Sequence, residues 1–156
     1  MKSELLKFGL IGLVAVLLQM LIFNHLSYGA IQADITLVAL IWVMATQDRT
    51  RAILFAAFVG LLSDFFLDYW GLHLMAKPLT TMIVYRFVPR MEETRLFFTP
   101  VFLILLGISV VHNFFFLLAA LFAQIYQAEP VLIQILAGSS LMTAITGSII
   151  YILRDN

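Results

Sequence analysis

The sequence predicts an all-α membrane protein: one integral-membrane domain over residues 1–156, built as six transmembrane helices with both termini cytoplasmic. Three observations predict it. Of the 156 residues, 63% are hydrophobic and only 12% are charged, whereas soluble domains run at roughly 45–50% apolar and about 25% charged. A crossing helix takes about 20 apolar residues, so the chain has room for about six or seven spans and for no separate soluble domain. Basic side chains, which resist translocation, gather at alternate ends of the apolar runs. Charge and cysteine content narrow the function classes further. Nine Lys+Arg balance nine Asp+Glu, which excludes the basic surface that a nucleic-acid binder needs. The absence of Cys removes thiolate metal sites, thiol catalysis and disulfides together.

The first span, residues 5–26, is longer than the roughly 7–15 residues of a secretory apolar region. Ser27-Tyr28-Gly29 offers a small-x-small cleavage pattern, but so much membrane sequence follows it that the segment reads as a retained helix. The second span, residues 34–46, has an apolar run of only a dozen residues, Ile35–Thr46, covering about 20 Å at a rise of about 1.5 Å per residue. It still crosses, because only then do Arg49 and Arg51 share a side with Lys2 and Lys7. It must extend into Asp34 and Gln47, lie partly inside the protein, or thin the bilayer. The third span, residues 52–68, ends at Tyr69-Trp70-Gly71, an interfacial turn with aromatic anchors. The fourth, residues 72–88, carries Lys77, Pro78 and Arg86. A charged loop holds Arg90, Glu92, Glu93 and Arg95, with the two glutamates as a solvated cluster. The fifth span is residues 96–123 and the sixth is residues 131–153, before Arg154. On this map the three opposite loops contain no Lys or Arg.

Polar residues inside spans cost free energy, about 2.5–3.5 kcal/mol for a carboxylate or ammonium at a helix centre, so they face partners or cavities. In the third span Ala56, Gly60, Asp64 and Asp68 recur every four residues, giving one face that reads small, small, acid, acid. Asp64 and Lys77 stand at similar distances from the outer turn, which predicts an ion pair between antiparallel neighbours, with Asp68 as the competing partner. Gln19, Asn24 and His25 in the first span and His112-Asn113 in the fifth lie at similar outer depth. Hydrogen bonding within the bundle, a groove for a partner's helix, and a small-ligand or ion pocket all fit this gathering. In the sixth span Gly138, Ser139, Ser140, Thr143, Thr146, Gly147 and Ser148 supply a small, hydroxylated packing side. Chemistry is hard to find. The sequence has no phosphate loop, no His-Glu-x-x-His, no nucleophile elbow and no histidine cluster at ligand spacing. Asp64 and Asp68 could hold a cation, but hard metals recruit several further oxygen ligands. The expectation is a protein that is not an enzyme, with no catalytic residue, cofactor or metal.

Gly60-Leu61-Leu62-Ser63-Asp64, continuing through Gly71-Leu72-His73 and Ala76, resembles the hallmark of the MreD family, rod-shape-determining membrane proteins of bacteria. That family carries a third-helix Gly-x-x-x-Asp, then a turn with Gly-Leu-His and a small residue. Gln19 late in the first helix, Asp34 opening the second, and the basic loop Arg49–Arg51 agree with it over the whole chain. Ala33-Asp34 stands where many members have Pro or Asn, and Lys77 is not diagnostic. The resemblance implies a non-enzymatic scaffold of the cell-elongation machinery in the bacterial cytoplasmic (inner) membrane. It implies MreC as partner and, through it, a RodA-type glycosyltransferase and a class B penicillin-binding protein of peptidoglycan synthesis. It also implies a bundle similar to the substrate-binding S component of energy-coupling-factor transporters. From another class, the rival is a small-molecule-binding subunit of a membrane transporter; an ion or proton pathway through Asp64, Lys77 and His112 is a third reading.

Overall fold

A computed structural model describes residues 2–67, 71–90, 97–125 and 129–155. These residues form six helical segments and, apart from one isolated bridge between Tyr28 and Ile31, no β-structure. Helix α1 runs Lys2–Leu18 and continues into a π-helical turn, Gln19–Phe23. Helices α2 and α3 are Ile35–Thr46 and Arg49–Leu67. Helix α4 is Leu72–Val84, tightening to a 3-10 turn at Tyr85–Phe87. Helix α5 is Phe98–Phe122. The last, α6, comprises Glu129–Ile133, a π-helical turn at Gln134–Ser139, and Ser140–Asp155. Four of them, α1, α3, α5 and α6, are long and apolar enough to cross a membrane. The other two are shorter, 12 residues in α2 and 13 in α4.

Helix starts follow from side chains that satisfy the first free N–H groups. Asp34 caps α2, its Oδ1 accepting from Leu37 N at 2.8 Å. Asp48 does the same for α3, accepting from Arg51 N at 2.8 Å, so the helix begins at Arg49 and not at residue 52. The charged stretch expected as a loop is therefore the first turn of a capped helix. At Gly71 the backbone turns with φ of 92°, a left-handed conformation that glycine adopts without a Cβ penalty, and α4 starts at the next residue. Pro130 sits in the first turn of α6, where its missing N–H costs nothing.

Short α2 is the most enclosed element. Its Leu37, Leu40, Val43 and Met44 are each at most 1% exposed, packed with Ala52, Ala56 and Val59 of α3 and Leu105 of α5. Lipid chains are as apolar as leucine, so what holds such a bundle is close packing and interhelical hydrogen bonding. Close packing is tightest between α3 and α4. A Cβ at Gly60 would lie 2.7 Å from the His73 carbonyl oxygen and 2.8 Å from Leu74 Cα. Ala56, one turn earlier, is fully buried. Gly147 of α6 leaves a similar space for Leu105 and for Val38 of α2. At one end the α2–α3 corner is tied to the end of α4. Arg49 donates to Met82 O at 3.0 Å, while Tyr85 Oη and Arg90 donate to Gln47 O at 2.7 and 2.6 Å.

Candidate functional site

At the other end the polar side chains converge. The loop joining α1 to α2 does not project outward; it folds back and is held along its length by side chains of α1 and α6. Gln19 donates to Ala33 O at 3.0 Å and accepts from Ile35 N at 2.8 Å. Gln134 accepts from Ala30 N at 3.3 Å, and Ser139 accepts from Gln32 N at 3.1 Å. Thr143 accepts from Asp34 N at 2.9 Å. Gly138 admits the loop, since a Cβ there would meet Ile31 Cγ1 at 2.6 Å. Ser139 and Thr143, expected as a helix-packing side, thus serve as backbone clamps. Both π-helical turns open at the glutamines that grip this loop, Gln19 and Gln134. Such turns change which side chains face inward and recur at functional sites.

Beneath the loop lies a polar cavity of about 200 Å³. Asp34 stands in its wall, with Oδ1 taken by Leu37 N and the Thr36 hydroxyl, which leaves Oδ2 directed inward. Lys77 Nζ donates to Oδ2 at 2.7 Å and is 0% exposed. His112 Nε2 stands 3.5 Å from the same oxygen. The rings of His112 and His73 are nearly parallel, 17° apart with centroids at 6.2 Å, and Phe116 packs 4.8 Å from His73. Beside His112, Asn113 donates to Ile135 O at 3.1 Å and to Ser140 Oγ at 2.9 Å, fixing α5 to α6 at the π-helical turn. Leu72, one residue before His73, is buried in a small apolar cluster with Ala76, Phe116, Ala120 and Ile135, of which Phe116 and Ile135 also line the cavity.

The expected Asp64–Lys77 ion pair does not form. Asp64 accepts from His73 N at 2.9 Å and from Leu74 N at 2.8 Å, one with each oxygen. The physical reason is proximity. Gly60 brings α3 against the very start of α4, where unpaired N–H groups and the positive end of the helix dipole stand nearer than Lys77 a turn further on. Freed from Asp64, Lys77 pairs with Asp34 across 43 positions of sequence. Asp68, the competing acid, lies outside the described residues. Comparison of the chain with known proteins gave no match to any family model, curated protein or solved structure.

Of the residues singled out from sequence, Gln19, His73, Lys77, His112 and Asn113 meet at this one place; Gly60, Asp64 and Gly71 shape the helix pair that carries His73 and Lys77. Asp34 was expected to open a helix and nothing more, yet it is the centre of the cluster. Its only local signal, an acid immediately before an apolar run, identifies a cap and is silent about a lysine two helices away. Chemically the site offers one carboxylate, one ammonium, two imidazoles, three carboxamides (Gln19, Gln32 and Asn113) and a few hydroxyls. Ser63, whose hydroxyl is buried without a hydrogen-bond partner, is the only hydroxyl among them that is not already tied to backbone or carboxylate.

A second concavity is of another kind. Helix α2 is too short to fill the space between α1, α5 and α6, and leaves a groove of about 540 Å³ on that side of the bundle. Leu10 and Val14 of α1, Val38 and Trp42 of α2, and Ile104 and Ile150 line it, with Arg90 and Arg154 at one end. Its walls are almost wholly apolar.

Proposed function

We propose that this protein is a membrane scaffold of the MreD type: a six-span bundle of the bacterial inner membrane, termini cytoplasmic, that binds a single-pass partner resembling MreC and couples it to peptidoglycan synthesis in cell elongation. The observation that carries the reading is the apolar groove between α1, α2, α5 and α6. An apolar groove with a small residue, Ala39, among its lining suits close approach of another transmembrane helix. Arg90 and Arg154 at one end suit the cytoplasmic end of a span, where basic residues concentrate. The motif residues Gly60, Asp64, Gly71, Leu72 and His73 support the family resemblance, since each has a structural task in the α3–α4 pair or the cavity above it.

Volume weighs against the transporter-subunit reading. Pockets for small organic ligands are commonly about 300–1,000 Å³ and combine apolar walls with a few polar groups. The polar cavity here, about 200 Å³, is smaller than that, and the groove of about 540 Å³ lacks convergent polar groups. The test uses the absence of native cysteine. A single cysteine introduced at Ala39 should form a disulfide with a cysteine in the transmembrane helix of the MreC-like partner, whereas one at Leu61, on the lipid-facing side of α3, should not. Ala39→Trp, which fills the groove, should abolish partner capture and rod shape together. Capture that survives Ala39→Trp, or crosslinking that favours Leu61, would place the partner elsewhere and remove the groove's role.

A further inference from the structure

We propose that Asp34, His73 and His112 form a binding site for a divalent transition-metal ion, zinc in the first instance, beneath the α1–α2 loop. Their ligand atoms, one from each residue, all lie within 4.8 Å of one another, although the three residues come from the start of α2, from α4 and from α5. His112 Nε2 and Asp34 Oδ2 are 3.5 Å apart, too far for a good hydrogen bond. That separation matches a metal pair: two ligands each about 2.1 Å from a tetrahedral ion stand about 3.4 Å from one another. His73, whose ligand nitrogen lies no more than 4.8 Å from the other two ligand atoms, completes the set by a change of side-chain torsion.

A second, independent observation is the condition of His112. The residue is 1% exposed, its Nδ1 has no hydrogen-bond partner, and its Nε2 has only the long contact to Asp34. A buried imidazole with so few partners is costly, and a metal ion at Nε2 supplies what the protein does not. Supporting contacts of the kind that orient metal ligands are present. Asp34 Oδ1 is fixed by Leu37 N and Thr36, its backbone N–H by Thr143, and the backbone of His73 by Asp64. Neutral imidazole with carboxylate is the donor set of zinc and its neighbours and is too nitrogen-rich for calcium or magnesium. Three protein ligands leave a fourth position facing the cavity of about 200 Å³, open to water or a small anion.

Lys77 gives the site its particular character. Its ammonium holds the same oxygen that would bind the ion, so the lysine and the metal compete for Asp34. Replacing it tests the assignment, because a purely structural network and a metal site respond to its loss in opposite ways. The full chain, purified in detergent with a tag that contains no histidine and stripped with chelator, is titrated with Zn²⁺ and with Co²⁺. Bound metal, the visible absorption of Co²⁺, and thermal unfolding are followed. The expected result is about one ion per chain with four-coordinate Co²⁺ absorption, a metal-dependent rise in unfolding temperature, and loss of affinity by more than about 100-fold in H73A/H112A. K77M should bind about tenfold more tightly, since a like charge beside the ion has been removed, and metal should raise its unfolding temperature more than that of the parent chain. H25A, a change at the exposed third histidine, should alter nothing. Absence of metal uptake by the unsubstituted chain overturns the proposal without any variant, as does uptake that H73A/H112A leaves unchanged. Neither outcome bears on the scaffold reading, which rests on the groove at another face.

Discussion

At the scale of single residues the organising fact is the exchange of partners between two acids. Asp64 and Asp34 are both carboxylates at helix ends. The first spends both oxygens on backbone N–H groups of α4, and the second spends one on its own helix and one on Lys77. Burial of Lys77, with no exposed surface, makes its pairing consequential, because removing one member of a buried pair leaves an uncompensated charge at a cost of about 3–5 kcal/mol. Lys77→Met and Asp34→Asn should each destabilise the metal-free protein by that order in a detergent unfolding assay, and the double change should cost clearly less than the sum. Asp64→Ala removes a cap and should cost about 0.5–2 kcal/mol. Combined with Lys77→Met its effect should be much nearer to additive, because the two share no hydrogen bond. Strong coupling of Asp64 with Lys77 and none of Asp34 would reverse the assignment of partners. Sequence placed Asp64 and Lys77 at compatible depths but carried no information about azimuth, and which way a lysine points around its helix is decided by the packing of helices remote in sequence.

At the scale of elements, glycine positions separate what is needed for packing from what is not. Gly60 is needed because backbone atoms of α4 occupy the space of its missing Cβ, and backbone cannot rotate away as a side chain can. Gly60→Ala should therefore cost about 1–3 kcal/mol as an overpacked contact. Gly71→Ala should cost about 1–2 kcal/mol for a different reason, the left-handed backbone at that turn. Gly107, mid-helix in α5 with nothing within 4 Å of its would-be Cβ, is the control. Gly107→Ala should be neutral or stabilise by up to about 1 kcal/mol through helix propensity, and equal losses at Gly60 and Gly107 would show that close approach is not what Gly60 provides. Apolar runs revealed all six helical segments, and the small-residue spacing Ala56–Gly60 marked a face for close helix approach without saying which helix takes it; the structure gives that place to α4. What stayed hidden has a common cause. The early start of α3 depends on a cap at Asp48, and the π-helical turn Gln134–Ser139 adds a residue that shifts the facing of the rest of α6. Hydropathy records neither, since both are matters of local hydrogen bonding.

At the scale of the whole molecule, the cavity and the basic residues divide the bundle into two ends. Gln19 late in α1, Asp34 at the start of α2, Ser63 late in α3, His73 early in α4, and Ser139 of α6 all line the same cavity, so successive helices must run in opposite directions. Arg49, Arg51, Arg86, Arg90 and Arg154 then belong to the other end, as the contacts of Arg49 with α4 and of Arg90 with the α2–α3 corner require. On the proposed topology that end is the cytoplasmic one, because translocation of basic residues is disfavoured, and the cavity faces the outer side. The point on which this orientation turns is α2. At about 1.5 Å per residue its 12 residues reach only about 18 Å, short of a hydrocarbon core of about 30 Å. On the proposed six-span topology the mismatch is tolerated because the surroundings of α2 are mostly protein: one face packs on α3 and α5, and the polar ends Asp34 and Gln47 are bonded to Lys77 and to Tyr85 and Arg90. If α2 crosses, Ser27 before it and Arg51 after it lie on opposite sides of the membrane. Single cysteines at Ser27 and Gln124 should accordingly react with a membrane-impermeant maleimide in intact spheroplasts, while those at Arg51, Arg90 and Arg154 should react only after the membrane is opened. Labelling of both Ser27 and Arg51 from outside would mean that α2 is re-entrant, and the groove it floors would then open to water where a partner's helix requires lipid.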